Sequence, residues 1–246
     1  MDIAAYAAEA EAEATHWWFS GRRRLFAREI DRLALTKSSP VLDVGTSTGT
    51  NLRVLRDLAF RSVEGLDISD EAIRYCRDKG LGLVRRGDVC AMPFANASFD
   101  LVLSTDIIEH INDDRQALGE IRRVLRPGGH ALITVPAFPS LWGLQDRVAH
   151  HRRRYRMRQL LSTIRQVGFD VERAYHFNFL LFIPIWIARR LIDLLDVRLN
   201  SESELNSPLI NRILSAIFAV DLAMAPVVRA PFGVSIFVMA RKNEHH

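Results

Sequence analysis

Cysteine is scarce, with Cys76 and Cys90 the only two among 246 residues. Each stands inside a periodic segment, so no disulfide framework is expected and a reducing compartment, the cytoplasm, is the expected setting. Pro/Gly/Ser-rich linkers are missing as well, which predicts one decorated domain around one substantial core. The Ala/Glu alternation through Glu9, Glu11 and Glu13 lacks the basic-then-apolar order of a secretory signal, so no export is expected. No apolar run reaches the roughly 20 uninterrupted residues that span a bilayer. Arg190, Arg212 and Asp221 break the two most hydrophobic stretches, so a membrane-spanning helix is not expected. The net charge of +4 comes largely from Arg22–Arg24 and Arg152–Arg154. A long basic face with stacking aromatics is absent, and no nucleic-acid partner is expected. The terminal His245 and His246 are given no role.

What is present is regular alternation. Seven strand candidates, PVLDVG, SVEGLDIS, LGLVRRGD, FDLVLSTD, HALITVPA, FDVERAYHF and VSIFVMARK, are interspersed with helical patterns. SDEAIRYCRDKG has Ser69 as N-cap, acids in its first turn and Gly80 as its stop. NDDRQALGEIRRVL carries Leu118, Ile121 and Leu125 on one face, with Pro127-Gly128-Gly129 predicted to end it. RMRQLLSTIRQVG places Met157, Leu160, Leu161, Ile164 and Val167 on one stripe. An Ala/Glu-rich helix and a second one, with Leu25, Phe26, Ile30 and Leu33 at helical spacing, precede the first strand. This alternation predicts an α/β fold with a mainly parallel sheet covered by helices on both faces. Its ligands should gather at the carboxyl ends of the strands.

Those ends carry a distinctive set of residues. VLDVGTSTGTNL passes from a strand, past Asp43, into a bend whose Gly45 and Gly49 flank Thr46, Ser47 and Thr48. Small residues let a ligand approach the backbone, and the following helix N-terminus suits the carboxylate of an amino-acid-like ligand. Asp67 ends the second strand, where a carboxylate can accept from both ribose hydroxyls. Asp88 and Val89 end the third, offering an acceptor and an apolar edge to an adenine. GTSTGT lacks the G-x-G-x-x-G spacing of dinucleotide sites, which argues against hydride transfer.

From Pro40 to Gly168, VLDVGTSTG, GLDIS, GDVCAMPFANASFDLVLSTDIIEHI and EIRRVLRPGGHALITVPA follow one another as in the class I S-adenosylmethionine-dependent methyltransferases. The chain resembles in particular the group similar to quinone-biosynthesis methyltransferases. The resemblance implies a Rossmann-like seven-stranded sheet with its last strand antiparallel, and S-adenosylmethionine as cofactor, leaving as S-adenosylhomocysteine. It implies a cofactor set of Asp43, Gly45, Thr46, Ser47, Gly49, Asn51, Asp67, Ile68, Asp88, Val89, Thr105 and Asp106. Ser47 departs from the pattern, which usually has glycine there. The chain then divides into a helical lid (1–36), the cofactor-binding core (37–179), a helical insertion between the sixth and seventh strands (180–230) and the final strand (231–243).

The acceptor side is read from neighbouring residues. His110 follows the fourth strand and is the candidate general base; a loop-ordering histidine is the alternative. Asp106, Glu109 and His110 resemble an acidic-histidine set that holds a metal in some quinone methyltransferases, with solvated carboxylates the simpler reading. His16, Trp17, Trp18 and Arg22 are lid candidates that could exclude water, with plain packing as the alternative. His151, Arg153 and Tyr155 form a basic segment suited to an acidic acceptor. In the insertion, Ile183, Ile187, Leu191, Leu194 and Leu195 lie on one side of a helix and Arg189, Arg190, Asp193 and Asp196 on the other. Ser207-Pro208 starts a second helix. This apolar surface suits a greasy small-molecule acceptor, the inner face of a membrane or a homodimer. The expected function is methyl transfer to an isoprenoid, lipid-linked or polyketide-like acceptor; the alternative is a non-catalytic binding module or membrane-surface adaptor.

Overall fold

A computed structural model of the chain describes residues 3–194 and 207–243. All seven predicted strands form: β1 (Val41–Val44), β2 (Val63–Asp67), β3 (Leu83–Arg86), β4 (Phe99–Thr105), β5 (Leu125–Pro136), β6 (Phe169–Phe177) and β7 (Ser235–Lys242). They make one sheet in the order β3-β2-β1-β4-β5-β7-β6. β1 to β5 pair in parallel, and β7 runs antiparallel to both β5 and β6. The chain steps outward from β1 to β3 and then resumes at β4 on the other side of β1. That reversal opens a crevice beyond the carboxyl ends of β1 and β4, where Val44 pairs with both Leu66 and Ser104.

The helices are α1 (Ile3–Ala12), α2 (Trp17–Asp31), α3 (Thr50–Asp57), α4 (Asp70–Asp78), α5 (Asp114–Val124), α6 (Leu144–Val148), α7 (Met157–Gln166), α8 (Phe182–Leu194) and α9 (Pro208–Val228). Local chemistry sets several ends. The Ser69 hydroxyl accepts from Ala72 N at the start of α4, and Ser207 accepts from Ile210 N at the start of α9. One stop differs from expectation. Helix α5 ends at Val124, and Pro127-Gly128-Gly129 lies within β5 as an irregularity between the pairs Phe99↔Leu125 and Leu101↔His130. Leu125 is fully buried and already extended, so burial of its side chain ends the helix before the proline is reached.

Strand alternation splits the core into two layers. Leu42, Val102, Ile133 and Val238 face α5 and α7, whose Leu118, Ile121, Leu160 and Ile164 complete that layer. Val41, Leu101, Leu103, Leu132, Phe237 and Met239 face the other way, onto Leu25, Phe26 and Ile30 of α2 and Phe218, Leu222 and Ala225 of α9. Without α9 this face of β6 and β7 would stand in water; burying Phe218 alone stabilises by roughly 2–3 kcal/mol. Gly21 permits the approach of α2 to α9, since a Cβ there would lie 2.3 Å from the Phe218 ring. Trp17 N donates to Asn211 Oδ1 at 2.7 Å, and Arg28 Nη1 donates to the Leu222 carbonyl at 2.7 Å. The lid and the insertion, separate in sequence, thus form one layer.

One expectation for the insertion is corrected, and α9 adds a fact of its own. α9 has 21 residues and is long and apolar enough, by length and composition, to cross a membrane. Asp221 interrupts it chemically but is buried, its carboxylate accepting from Asn178 N and Leu180 N at 2.6 and 2.8 Å. On α8 the apolar stripe of Ile183, Ile187, Leu191 and Leu194 faces outward, exposed by 46–79%. Arg189, expected on the polar side, is instead buried. Leu195 and Asp196 lie outside the described residues.

Candidate active site

A cavity of about 630 Å³ opens at the strand tips, a volume suited to a cofactor-sized ligand. Gly45, Asp67 and Asp88 all line it, so the bend and the two acids converge on one space. Gly45 turns the chain at φ +71°, and a Cβ there would lie 1.9 Å from Ile107. Ser47 N and Ser69 N donate to the two carboxylate oxygens of Asp67, at 3.0 and 2.9 Å. These bonds clamp the tips of β1 and β2 together and fix the carboxylate at the cavity wall. Asp88, at the outer end, accepts from Cys90 N at 2.8 Å, and Val89 is buried beside it.

Asp43 is fully buried behind the bend, where burial pushes its carboxyl up to about 8 despite a hydrogen bond from Asn51. Asn51 Nδ2 also lies 2.9 Å from Thr105 Oγ1, tying β1 to β4. Asp43 Oδ2 and Thr46 Oγ1 are buried without hydrogen-bond partners among the described residues. Buried polar atoms are rarely left so. Hydroxyl-accepting acids, open backbone at a helix start and orphaned polar atoms together fit a nucleoside carrying an amino-acid end. Of the expected cofactor set, Gly45, Thr46, Ser47, Asn51, Asp67, Ile68, Asp88, Val89, Thr105 and Asp106 line the cavity, whereas Asp43 and Gly49 support it from behind.

The other half of the cavity is built by α2, α6, α8, α9 and the 106–111 turn. His16, Trp17, Trp18 and Arg22 line it as lid candidates. Trp18 stacks on Phe177 and Phe218, so this lid also packs on the sheet. Arg22 pairs with Asp106, sits 5.4 Å from the Trp18 ring centroid and donates to Thr134 Oγ1. Asp106 is thereby committed. Among the described residues, the group able to hold a metal is Glu109, His110 and His151; His151 stands where Asp106 was expected. Glu109 is fully buried with neither oxygen hydrogen-bonded, and burial, then the nearby Asp106, drives its carboxyl upward. Burial, then His151, lowers His110 to about 4, so its imidazole is neutral at neutral pH.

Asp146 organises this half. It accepts from His151 Nδ1, Arg154 Nε and Gly143 N at 2.8, 2.7 and 2.9 Å, and Arg189 Nη1 lies 3.8 Å away. Burial alone would raise its carboxyl, but the His151 hydrogen bond and the Arg154 guanidinium outweigh it and hold the group at about 2. An isolated parallel bridge pairs Ala137 with Tyr155, and Arg154 Nη1 donates to the Ala137 carbonyl at 2.9 Å. Arg154 reaches the cavity, whereas Arg153 and Tyr155, expected there, do not. Arg153 donates to the Ile111 and Asn112 carbonyls, and the Tyr155 hydroxyl donates to Asp114 at 2.9 Å. They brace the 108–114 turn from behind.

Sequence reading missed Tyr6, Glu9, Asn178 and Arg189, all on the cavity wall. Glu9 and Glu13 could have been found, being four apart on one helix face. Asn178 carried no signal: it follows β6 at φ +58°, and both amide atoms are buried without hydrogen-bond partners among the described residues.

A methyltransferase-domain family matches residues 42–133, the stretch that holds the bend and the two strand-tip acids Asp67 and Asp88. A protein of Encephalitozoon cuniculi bearing the methyltransferase name is 31% identical over 159 residues, covering 55% of this chain and 72% of that one. A probable S-adenosylmethionine-dependent methyltransferase of Mycolicibacterium smegmatis is 29% identical over 160 residues, covering 64% and 61%. Among solved structures, the complex between the Haloferax volcanii Trm112 methyltransferase activator and a methyltransferase matches at a TM-score of 0.63. That alignment has 19% identity and covers 97% of both chains, a likeness of fold alone. The matched stretch makes up 61%, 34% and 44% of three curated relatives, so the chain spans about half the length of such proteins.

Proposed function

The chain belongs to the class I S-adenosylmethionine-dependent methyltransferases, and on that premise we propose that it methylates a small amphipathic acceptor drawn from a membrane surface. One observation carries the reading. The cavity continues from the strand tips to Ile185, Ala188 and Ile192 of α8 and Leu214 of α9, while the same helices expose Ile183, Trp186, Ile187, Leu191, Ile210, Ile213 and Val220. An apolar acceptor would pass between a lipid phase and the reacting centre without crossing water. Arg190 stacks over Trp186 at 5.8 Å, the pairing of an aromatic and a cation that suits a headgroup region. The protein would then work from the cytoplasm at the inner face of a membrane. Relatives named O-methyltransferase favour an oxygen acceptor, and the apolar helices around the cavity favour one of isoprenoid, lipid-linked or polyketide-like character.

S-adenosylmethionine supplies, when bound, a methyl group on a sulfonium, open to direct displacement. Asp67 would hold the ribose, Asp88 the adenine and the 45–49 bend the methionyl end. Trp17, Trp18 and the Arg22–Asp106 pair close the lid side against water. His110, neutral and on the cavity wall, would receive the proton of an acceptor hydroxyl.

The test is transfer of radiolabel from methyl-labelled S-adenosylmethionine to a lipid extract, beside sedimentation with anionic phospholipid vesicles. Label in the organic phase and pelleting abolished by Ile183→Ser/Leu191→Ser are expected. Label confined to water-soluble products, or a stable dimer in light scattering that the same double substitution dissolves, would sink the membrane reading.

A further inference from the structure

Two carboxylates, Glu9 of α1 and Glu13 just past its end, reach the 45–49 bend and meet opposite surroundings. Glu13 is buried among cations: Arg53 Nη2 and Lys79 Nζ approach its Oε1 at 2.9 and 2.8 Å. Glu9, one turn earlier, receives the Ser47 hydroxyl at 3.0 Å and lies 3.3 Å from that of Thr48. No cation stands within ion-pair distance of Glu9 among the described residues; the nearby Arg22 is engaged with Asp106. Burial raises the Glu9 carboxyl above its ordinary range, and the two hydroxyls only partly offset this. Glu9 is half-buried, and a carboxylate at a cavity wall without a counter-charge is free to pair with a cationic ligand group. Glu9 faces the cavity beside Gly45, Thr46 and Ser47, where the amino-acid end of the cofactor would lie.

We infer that Glu9 is the ion-pair partner of the cofactor's α-ammonium group, and that Ser47 stands in the bend to hold the Glu9 carboxylate in place. Ser47 adopts φ +46°, a conformation that glycine takes more readily. Its side chain is explained by the bond it donates to Glu9, the residue through which α1 closes over the ligand. Glu13, saturated by Arg53 and Lys79, anchors the helix. This rests on the cofactor assignment above, and the experiment separates the two.

The probes are S-adenosylhomocysteine and 5′-methylthioadenosine, which share the nucleoside but differ in the amino-acid end; binding is measured by calorimetry. The wild-type protein should bind both. Glu9→Gln, which keeps the size and one acceptor oxygen but removes the charge, should weaken S-adenosylhomocysteine about 10- to 100-fold, the range of a lost charge-assisted bond. It should leave methylthioadenosine within twofold. Ser47→Gly should show the same selectivity with a smaller loss. Wild-type affinity for S-adenosylhomocysteine should also fall on acidification as Glu9 protonates, a dependence that Glu9→Gln flattens. Equal weakening of both ligands, or of neither, overturns the role of Glu9 while the cofactor site stands. Failure of the wild-type protein to bind either ligand overturns the cofactor assignment and this inference with it.

Discussion

The two halves of the cavity are made differently. The cofactor half is assembled by consecutive strand tips, with Asp67 held by Ser47 N and Ser69 N. Sheet register brings Gly45, Asp67 and Asp88 to one end of the sheet. The acceptor half is assembled by segments far apart in the chain: α2 meets α9 through Gly21 and Phe218, and α6 meets α8 near Asp146 and Arg189. A change on the cavity wall of the first half should therefore act mainly on ligand affinity, whereas a change in the second should disturb packing first.

The largest expected effect tests the first part of this contrast. Asp67→Ala should lower S-adenosylhomocysteine affinity by roughly 10²–10³, about 3–4 kcal/mol for two lost bonds to a charged acceptor. Vesicle pelleting should be unchanged; a dissociation constant within twofold of wild type would remove Asp67 from the site. Next, Asp221→Ala strips two buried N–H groups, Asn178 and Leu180, of their acceptor. It should cost about 2–3 kcal/mol in urea unfolding, with S-adenosylhomocysteine affinity of the folded protein retained. Equal losses in both measurements would mean that the halves are not separable.

A third expectation concerns pH. Asp43 is raised to about 8 in the folded protein, so between its unfolded value near 4 and that value the folded state binds more protons. Its contribution to stability falls as pH rises through this window. Asp43→Asn should unfold at a higher temperature than wild type by a margin that widens from pH 5 to pH 8; a constant margin would mean the carboxyl is ionised throughout. The smallest effect belongs to a residue moved out of the cavity by the structure. Tyr155→Phe should lower stability by about 1 kcal/mol through loss of the bond to Asp114. KM for the acceptor should not change, and a raised KM would return Tyr155 to the binding surface.

The same contrast explains what was legible. β-branched runs ending in Gly45, Asp67 and Asp88 specify both the strands and the groups at their ends, so fold and cofactor half follow from pattern. Arg153, Arg154 and Tyr155 are equally attractive in sequence, but Arg154 meets Asp146 while Tyr155 meets Asp114, and no periodicity reports which goes where. The α8 helix shows its amphipathic character plainly, yet which face turns inward is decided by Arg189, whose guanidinium finds the Leu141 carbonyl and Asp146. Pairings of that kind depend on residues about fifty positions apart.

The Asp146 hub has a bearing on how new acceptors could be accommodated. His151, Arg154 and Arg189 all close on this single carboxylate, so 143–154 and α8 behave as one module. A chimera that imports α8 from a relative without its matching Asp146 segment inherits an arginine with no anion to meet. Exchange of parts in this protein should therefore succeed when both pieces travel together, and yield poorly folded hybrids when either travels alone.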